Sequence, residues 1–312
     1  MIRVLIADNT HPVLSQRLTD AGLQVSIEPE HDYSSLLQAV QGCQGLVVRS
    51  KVNIDRAFID AAPSLRVIAR VGAGMETIDT AYAHSRGVLT LNSPEGNRDA
   101  VGEHAVGLLL ALLNNIARAD AEVRRGQWLR EQNRGHELSS LTVGIIGLSN
   151  MGLAFAQRLR GFGCPIVAYD KYKPAGHAPD YVEEVSLDEL MRRADVLSMH
   201  VPLTDETRHY VDAAFIARMH HPFYLVNTAR GAVVDTQAVA DALQRGKLLG
   251  AALDVLEYEN MQADSLADVP EPLRRLMQSP RTVLTPHVAG WTVESKYKLS
   301  AVLADKIIAA LT

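Results

Sequence analysis

The chain has 312 residues, of which 47% are hydrophobic and 21% charged, and carries a formal net charge of −5 at pH 7. That length exceeds what one hydrophobic core usually fills, so two domains are expected. The acidic balance gives no footprint for nucleic acid or an anionic membrane.

Cys43 and Cys164 are the two cysteines, far apart, and the chain opens Met1-Ile2-Arg3-Val4 without a leader-like pattern; both features point to a reducing cytoplasm. The apolar stretch from Val106 to Leu113 falls well short of the ~20 residues of a membrane span. No membrane association, nucleic-acid partner or metal is expected.

In chain order, short β-branched runs alternate with amphipathic segments: Val4–Ala7, His11–Ala21, Gln24–Glu28, Ser34–Val40, Gly45–Arg49, Asp55–Ala61 and Arg66–Arg70. Such alternation predicts a parallel sheet with helices on its faces. A long, mostly apolar helical stretch without proline runs from Asn97 to Arg125, followed by a polar segment, Gly126–Ser140. A second strand series then begins at Val143 and continues through Ile166–Tyr169, Val196–His200, Tyr224–Asn227, Ala251–Asp254 and Thr282–Leu284. Val293 to Leu311 is helical in pattern with no strand after it, so it is expected to return to the first domain. The expected fold class is α/β, with two doubly wound parallel-sheet domains. Residues 1–96 and 290–312 would form one domain and 97–289 the other.

The second series opens with the most specific motif in the chain. Val143 to Ile146 runs into Gly147-Leu148-Ser149-Asn150-Met151-Gly152, and Asp170 closes the next strand. Strand, glycine turn, helix, strand and acid in that order form a dinucleotide site, with pyrophosphate at the helix N-terminus and Asp170, about 20 residues on, for the ribose. Asp170 argues for NAD over NADP, while its neighbours Lys171 and Lys173 leave room for a 2′-phosphate. Ser149 stands where the motif usually has its middle glycine. Its Cβ would hinder approach of the backbone to pyrophosphate, although its hydroxyl can donate to a phosphate oxygen.

Three polar residues end separate segments of the second half: Arg230 in Asn-Thr-Ala-Arg-Gly, Glu259 after Leu-Asp-Val-Leu, and His287 in Leu-Thr-Pro-His. Positions beyond the carboxyl ends of strands face the ligand crevice of a doubly wound sheet. The residue types suit hydride exchange with a 2-oxo acid. Arginine can fork a carboxylate, histidine can exchange a proton with the oxygen, and a glutamate can orient the imidazole. Taken singly, each could equally be a surface residue, Glu259 lying beside Glu257.

Beyond these residues, the chain resembles the D-2-hydroxyacid dehydrogenase family over nearly its full length, and within it phosphoglycerate dehydrogenases. The resemblance rests on Arg70–Asp79, Gly96–His104, the nucleotide turn, His200–Thr204, Asn227–Gly231, Leu253–Val255 and Thr285–His287. It implies a flavodoxin-like substrate domain and a Rossmann NAD-binding domain. Arg230 is implied as carboxylate and carbonyl binder, His287 as acid/base and Glu259 as its partner. It also implies that Ala73 and Gly74 offer amides to the substrate. Val201, Pro202 and Thr207 would line the cofactor groove, with Thr228, Asp254 and Gly290 near the nicotinamide. A homodimer is implied as well. Asn260 follows Glu259 where the family often has proline.

For the substrate, Arg49, Ser50, Lys51 and Arg70 end strands of the first domain, and Arg130 and Arg134 lie near Trp128. Similar positions collect basic groups around a phosphate in phosphoglycerate-type relatives, so 3-phosphoglycerate is the leading expectation. A solvated basic edge is the plain alternative, and glyoxylate, hydroxypyruvate or another small 2-oxo acid is the corresponding substrate class. A different class, an NADH-sensing corepressor-like binding protein, is disfavoured because Arg230, Glu259 and His287 are all present.

Overall fold

A computed structural model describes residues 1–259 and 269–312; Asn260 lies outside the described residues. The chain divides into two compact units, Met1–Arg98 with Trp291–Thr312, and Asp99–Gly290.

The first unit alternates strand and helix: β1 (Arg3–Ile6), α1 (Val13–Asp20), β2 (Gln24–Ile27), α2 (Tyr33–Ala39), β3 (Gly45–Val48), α3 (Arg56–Ala61), β4 (Val67–Arg70), α4 (Thr80–Ser85) and β5 (Leu89–Asn92). Its described strands form one parallel sheet in the order β2-β1-β3-β4-β5, the flavodoxin-like arrangement. Gly45-Leu-Val-Val of β3 is buried throughout, as a central strand covered on both faces requires. On one face Phe58, Ile59 and Leu36 pack against Leu46 and Ile68. On the other, Leu14 and Leu18 of α1 meet Leu299, Leu303 and Ile307 of the C-terminal helix, Val293–Leu311. Aspartates start α2, α3 and α4: the side chains of Asp32, Asp55 and Asp79 accept the third amide of their helices.

The second unit begins with α5 (Arg98–Leu113) and α6 (Ile116–Arg124). It continues with β6 (Val143–Ile146), α7 (Asn150–Leu159), β7 (Ile166–Tyr169), β8 (Glu183–Glu184), α8 (Leu187–Arg193), β9 (Val196–Met199), α9 (Ala213–Arg218), β10 (Phe223–Asn227), α10 (Thr236–Arg245), β11 (Leu248–Leu253), α11 (Glu271–Gln278) and β12 (Thr282–Leu284). Its described strands are all parallel, in the order β12-β11-β10-β9-β6-β7-β8. The six strands from β8 to β11 reproduce the Rossmann order, and the topological switch falls between β6 and β9. Leu108, Leu109 and Leu112 of α5 cover one face with Phe155 and Leu159 of α7, against Val143, Ile145 and Val226. Both domain sheets are thus parallel α/β, as the alternation of elements predicts.

The helix expected as one stretch over 97–125 is two. Asn115 adopts φ +53° and turns the chain by 60° between α5 and α6. Asparagine tolerates the left-handed conformation, and α6 has no buried residue to hold it in line with α5. No single helix among the described residues is long and apolar enough to cross a membrane. Both cysteines are buried free thiols.

Candidate active site

The glycine turn lies at the switch point of the second sheet. Gly147 has φ +92°, and a Cβ there would sit 2.6 Å from the carbonyl oxygen of His200, at the end of β9. A Cβ on Gly152 would lie 2.0 Å from the carbonyl oxygen of Gly147, so the first turn of α7 folds back on the loop only because both positions lack one. Ser149 is the N-cap of α7, yet its side chain makes no capping bond and is exposed. The aspartate caps of α2, α3, α9 and α10 do make theirs. Asn150 and Met151 form the first turn of α7, whose amide dipole favours an anion.

Asp170 follows β7 directly. Its Oδ2 accepts the amide of Leu148 at 2.8 Å and its Oδ1 that of Tyr172 at 3.0 Å, so the acid is tied to the glycine loop. The ammonium of Lys171 pairs with Glu206. Val201 and Pro202 begin the loop after β9, and the buried hydroxyl of Thr207 donates to the Pro202 carbonyl at 2.6 Å, setting that loop's curvature.

Arg230, Glu259 and His287 follow β10, β11 and β12. The buried amide of Asn227 fixes the first turn: its Oδ1 accepts the amide of Ala229 at 3.0 Å and its Nδ2 donates to the Arg230 carbonyl at 2.9 Å. Arg230 donates through Nη1 to the Ala229 carbonyl at 2.6 Å. Gly231 then presses against the chain after β11, where a Cβ would sit 2.0 Å from the Leu256 carbonyl oxygen. The loops bearing Arg230 and Glu259 are therefore in backbone contact.

Glu259 and His287 meet directly, with Nδ1 of the imidazole 2.9 Å from Oε1 of the carboxylate. Oε2 of Glu259 accepts the Leu256 amide at 3.2 Å. Glu257 is engaged elsewhere, accepting the Thr236 hydroxyl at 2.7 Å and standing 2.6 Å from His209 Nε2. Burial pushes the Glu257 carboxyl up, but those donors outweigh it and hold it below the usual range.

His287 is held with φ +56°, an uncommon conformation for a side-chain-bearing residue. Asp254 is the anchor. Its carbonyl accepts the His287 amide at 2.7 Å, and its carboxylate accepts the amides of Val288 and Ala289, both at 2.9 Å, and the Thr285 hydroxyl at 2.6 Å. His104 completes the group, with Nε2 3.1 Å from Thr285 Oγ1 and 3.4 Å from Asp254 Oδ1. Burial raises the Asp254 carboxyl, yet His104, Thr285 and the two amides together hold it below the ordinary range. A fully buried carboxylate thus grips the turn that presents His287. Thr228 is buried, and its hydroxyl finds no partner among the described residues. Gly290 ends this unit.

In the first unit, Arg70 ends β4 and donates to the carbonyls of Arg49, at 3.2 Å, and Gly74. The Ala73 carbonyl accepts Asn92 Nδ2 at 2.6 Å, so the loop over 72–74 is pinned at two points. The Arg49 guanidinium stands 5.2 Å from the ring centroid of Trp291. Lys51 reaches the Pro29 carbonyl at 3.4 Å and Glu30 at 3.9 Å, and Ser50 sits half-buried between the two cations. In the second unit Arg134 is bidentate to Glu131 at 2.8 and 3.0 Å, and Arg130 and Trp128 are exposed.

Asn227, Thr285 and His104 organise the site but have no assigned part in the sequence reading. All three lie inside the motifs that carry the family resemblance, His104 as the last residue of Gly96–His104; for the first two, an amide or hydroxyl next to the functional residue is the available signal.

The residues present fit a dinucleotide. Two glycines hold a turn that a Cβ would fill, an uncapped helix start faces it, an acid stands at the end of the second strand, and a buried threonine hydroxyl is unsatisfied among the described residues. The family profile described as "D-isomer specific 2-hydroxyacid dehydrogenase, NAD binding domain" matches residues 106–289. A hydroxypyruvate reductase of Thermotoga maritima is 36% identical over 289 residues, covering 92% of each chain. A D-3-phosphoglycerate dehydrogenase of Mycobacterium bovis is 38% identical over 309 residues, 99% of this chain but only 56% of that protein's length. Among solved structures, a D-lactate dehydrogenase from Aquifex aeolicus, complexed with NAD and lactic acid, superposes with a TM-score of 0.84 at 27% identity, covering 98% of this chain and 94% of that one. With the doubly wound nucleotide domain and its glycine cradle, these likenesses establish that the chain belongs to the D-isomer-specific 2-hydroxyacid dehydrogenases and is an NAD-dependent oxidoreductase.

Proposed function

We propose that Arg230, His287 and Glu259 are the catalytic residues, and that the preferred substrate pair is 3-phosphoglycerate and its 2-oxo acid. The observation that carries the catalytic reading is the His287–Glu259 contact, 2.9 Å at Nδ1, which leaves Nε2 as the nitrogen for the substrate. Bound NAD supplies the hydride acceptor, and its reduced form the donor. In the reducing direction the Arg230 fork holds the substrate carboxylate and polarises the adjacent carbonyl. His287 delivers a proton from Nε2 to the carbonyl oxygen, while Glu259 steadies the imidazolium through Nδ1. In the oxidising direction neutral Nε2 removes the hydroxyl proton. Asp254 keeps the histidine turn in place throughout.

The phosphorylated substrate is favoured by Arg49, Ser50 and Lys51 at the carboxyl end of β3, two cations and a hydroxyl in consecutive positions. A second reading, unphosphorylated hydroxypyruvate, is favoured by Arg70 and Arg134, whose guanidinium groups already bond backbone carbonyls and Glu131. The two acids differ only by the phosphate. A kcat/KM for phosphohydroxypyruvate at least tenfold above that for hydroxypyruvate supports the first reading, and equal values support the second.

We also propose a homodimer whose contact includes α6. Its residues are unburied, Ile116 and Val123 are 54% and 51% exposed, and Trp128 beyond it is 77% exposed. Such apolar exposure suits a second copy of the chain. Light scattering at twice the 34.0 kDa chain mass is expected, and a monomer after Val123→Asp.

A further inference from the structure

The loops after β7 and β9 are tied together by three side chains in the second unit. The Glu206 carboxylate pairs with the Lys171 ammonium through one oxygen and accepts the Tyr172 hydroxyl on the other. Nζ of Lys171 stands 5.4 Å from the centroid of the Tyr172 ring. The same Tyr172 donates its backbone amide to Asp170 at 3.0 Å, joining this cluster to the acid at the end of β7. The segment is also fixed from behind: Glu184 accepts the amide of Gly176 at 2.7 Å, and His177 Nε2 lies 3.1 Å from the carbonyl oxygen of Leu148 in the glycine loop.

We propose that Glu206 is a specificity residue that keeps this enzyme on NAD, by holding Lys171 away from the 2′-phosphate that distinguishes NADP. The inference rests on the reading of Asp170 as the ribose acid. A 2′-phosphate beside that acid needs a cation to offset two negative groups. Lys171 is adjacent to Asp170 in the chain and is the cation for that role. Glu206 occupies it and adds a further negative charge, so NADP meets two carboxylates and a neutralised lysine. A ribose with a free 2′-hydroxyl carries no charge to be repelled. The side chains of Lys171 and Glu206 are 54% and 42% exposed, so the effect is moderate and screened by salt.

The test is equilibrium titration of the full chain with NADH and with NADPH, read by fluorescence without any substrate. Glu206→Gln is expected to lower the Kd for NADPH about three- to tenfold at low ionic strength while moving that for NADH less than twofold. In the Lys171→Met background the same substitution is expected to give less than half of that gain. Asp170→Asn is expected to weaken NADH, confirming the footing. An unchanged Kd for NADPH in Glu206→Gln, or a gain that persists fully without Lys171, overturns the part given to Glu206. A Kd for NADH unmoved by Asp170→Asn overturns the ribose reading beneath it.

Discussion

Nδ1 of His287 lies 2.9 Å from Oε1 of Glu259, across 28 residues of sequence, and the two side chains arrive at the ends of neighbouring strands. If this pair exchanges the substrate proton, His287→Ala lowers kcat by about 10²–10⁴-fold, the range for a positioned acid–base group. Glu259→Gln, which retains shape but not charge, should lower kcat less than His287→Ala does. Steady-state kinetics with NADH at constant pH check both, and undiminished turnover in either variant removes the pair from the chemistry.

Gly231 carries a prediction about positioning. An alanine there would place Cβ 2.0 Å from the Leu256 carbonyl oxygen and force apart the loops bearing Arg230 and Glu259. Gly231→Ala is expected to reduce kcat/KM severely while NADH still binds. Arg230→Ala should cost on the order of 10²–10³ in turnover through lost electrostatic stabilisation. Titration with NADH alongside the kinetics separates these losses from a failure to fold.

Ser149 is an N-cap whose hydroxyl caps nothing, so its replacement by glycine should change helix stability by only a few tenths of a kcal/mol. Removing Cβ opens the approach to the helix start, and Ser149→Gly is expected to tighten NADH about two- to fivefold. Weaker binding would instead show that the hydroxyl serves the phosphate.

His200 gives the pH prediction. Its imidazole is buried beside Phe155, with Nε2 2.9 Å from the Ser198 hydroxyl, and burial pushes its pKa down to about 3 from an ordinary 6.5. Between those values the unfolded chain binds the proton and the folded one does not, so stability falls as pH drops below 6.5 and the loss continues to about 3. The slope from this group approaches about 1.4 kcal/mol per pH unit within that window. Urea unfolding from pH 7 to 4.5 should show a shallower decline for His200→Phe than for the unaltered chain; parallel declines would contradict the assignment.

Strands such as Gly45–Val48 and Val143–Ile146 are legible because a parallel strand covered on both faces must be apolar along its length. The break at Asn115 is missed by apolar pattern alone, although two consecutive asparagines at the end of the apolar run are a physical signal for it. Strand β5, with an exposed residue and three half-buried ones, lacks the buried run that marks its neighbours. At the site, residue type alone does not separate Glu257 from Glu259, because both follow β11 within a few residues. Only the folded loop turns one toward His209 and Thr236 and the other toward His287. The contact of Lys171 with Glu206 spans 35 residues and depends on how two loops meet, which no local pattern encodes.

The proposed proton exchange is between His287 and a 2-oxo acid held by Arg230. Its most direct test is NADH oxidation at saturating cofactor with phosphohydroxypyruvate, hydroxypyruvate, glyoxylate and pyruvate, comparing the unaltered chain with His287→Ala. Turnover of one preferred acid, lost by at least about 10²-fold in a variant that still binds NADH, is the expected result. Equal turnover by the two proteins would contradict it.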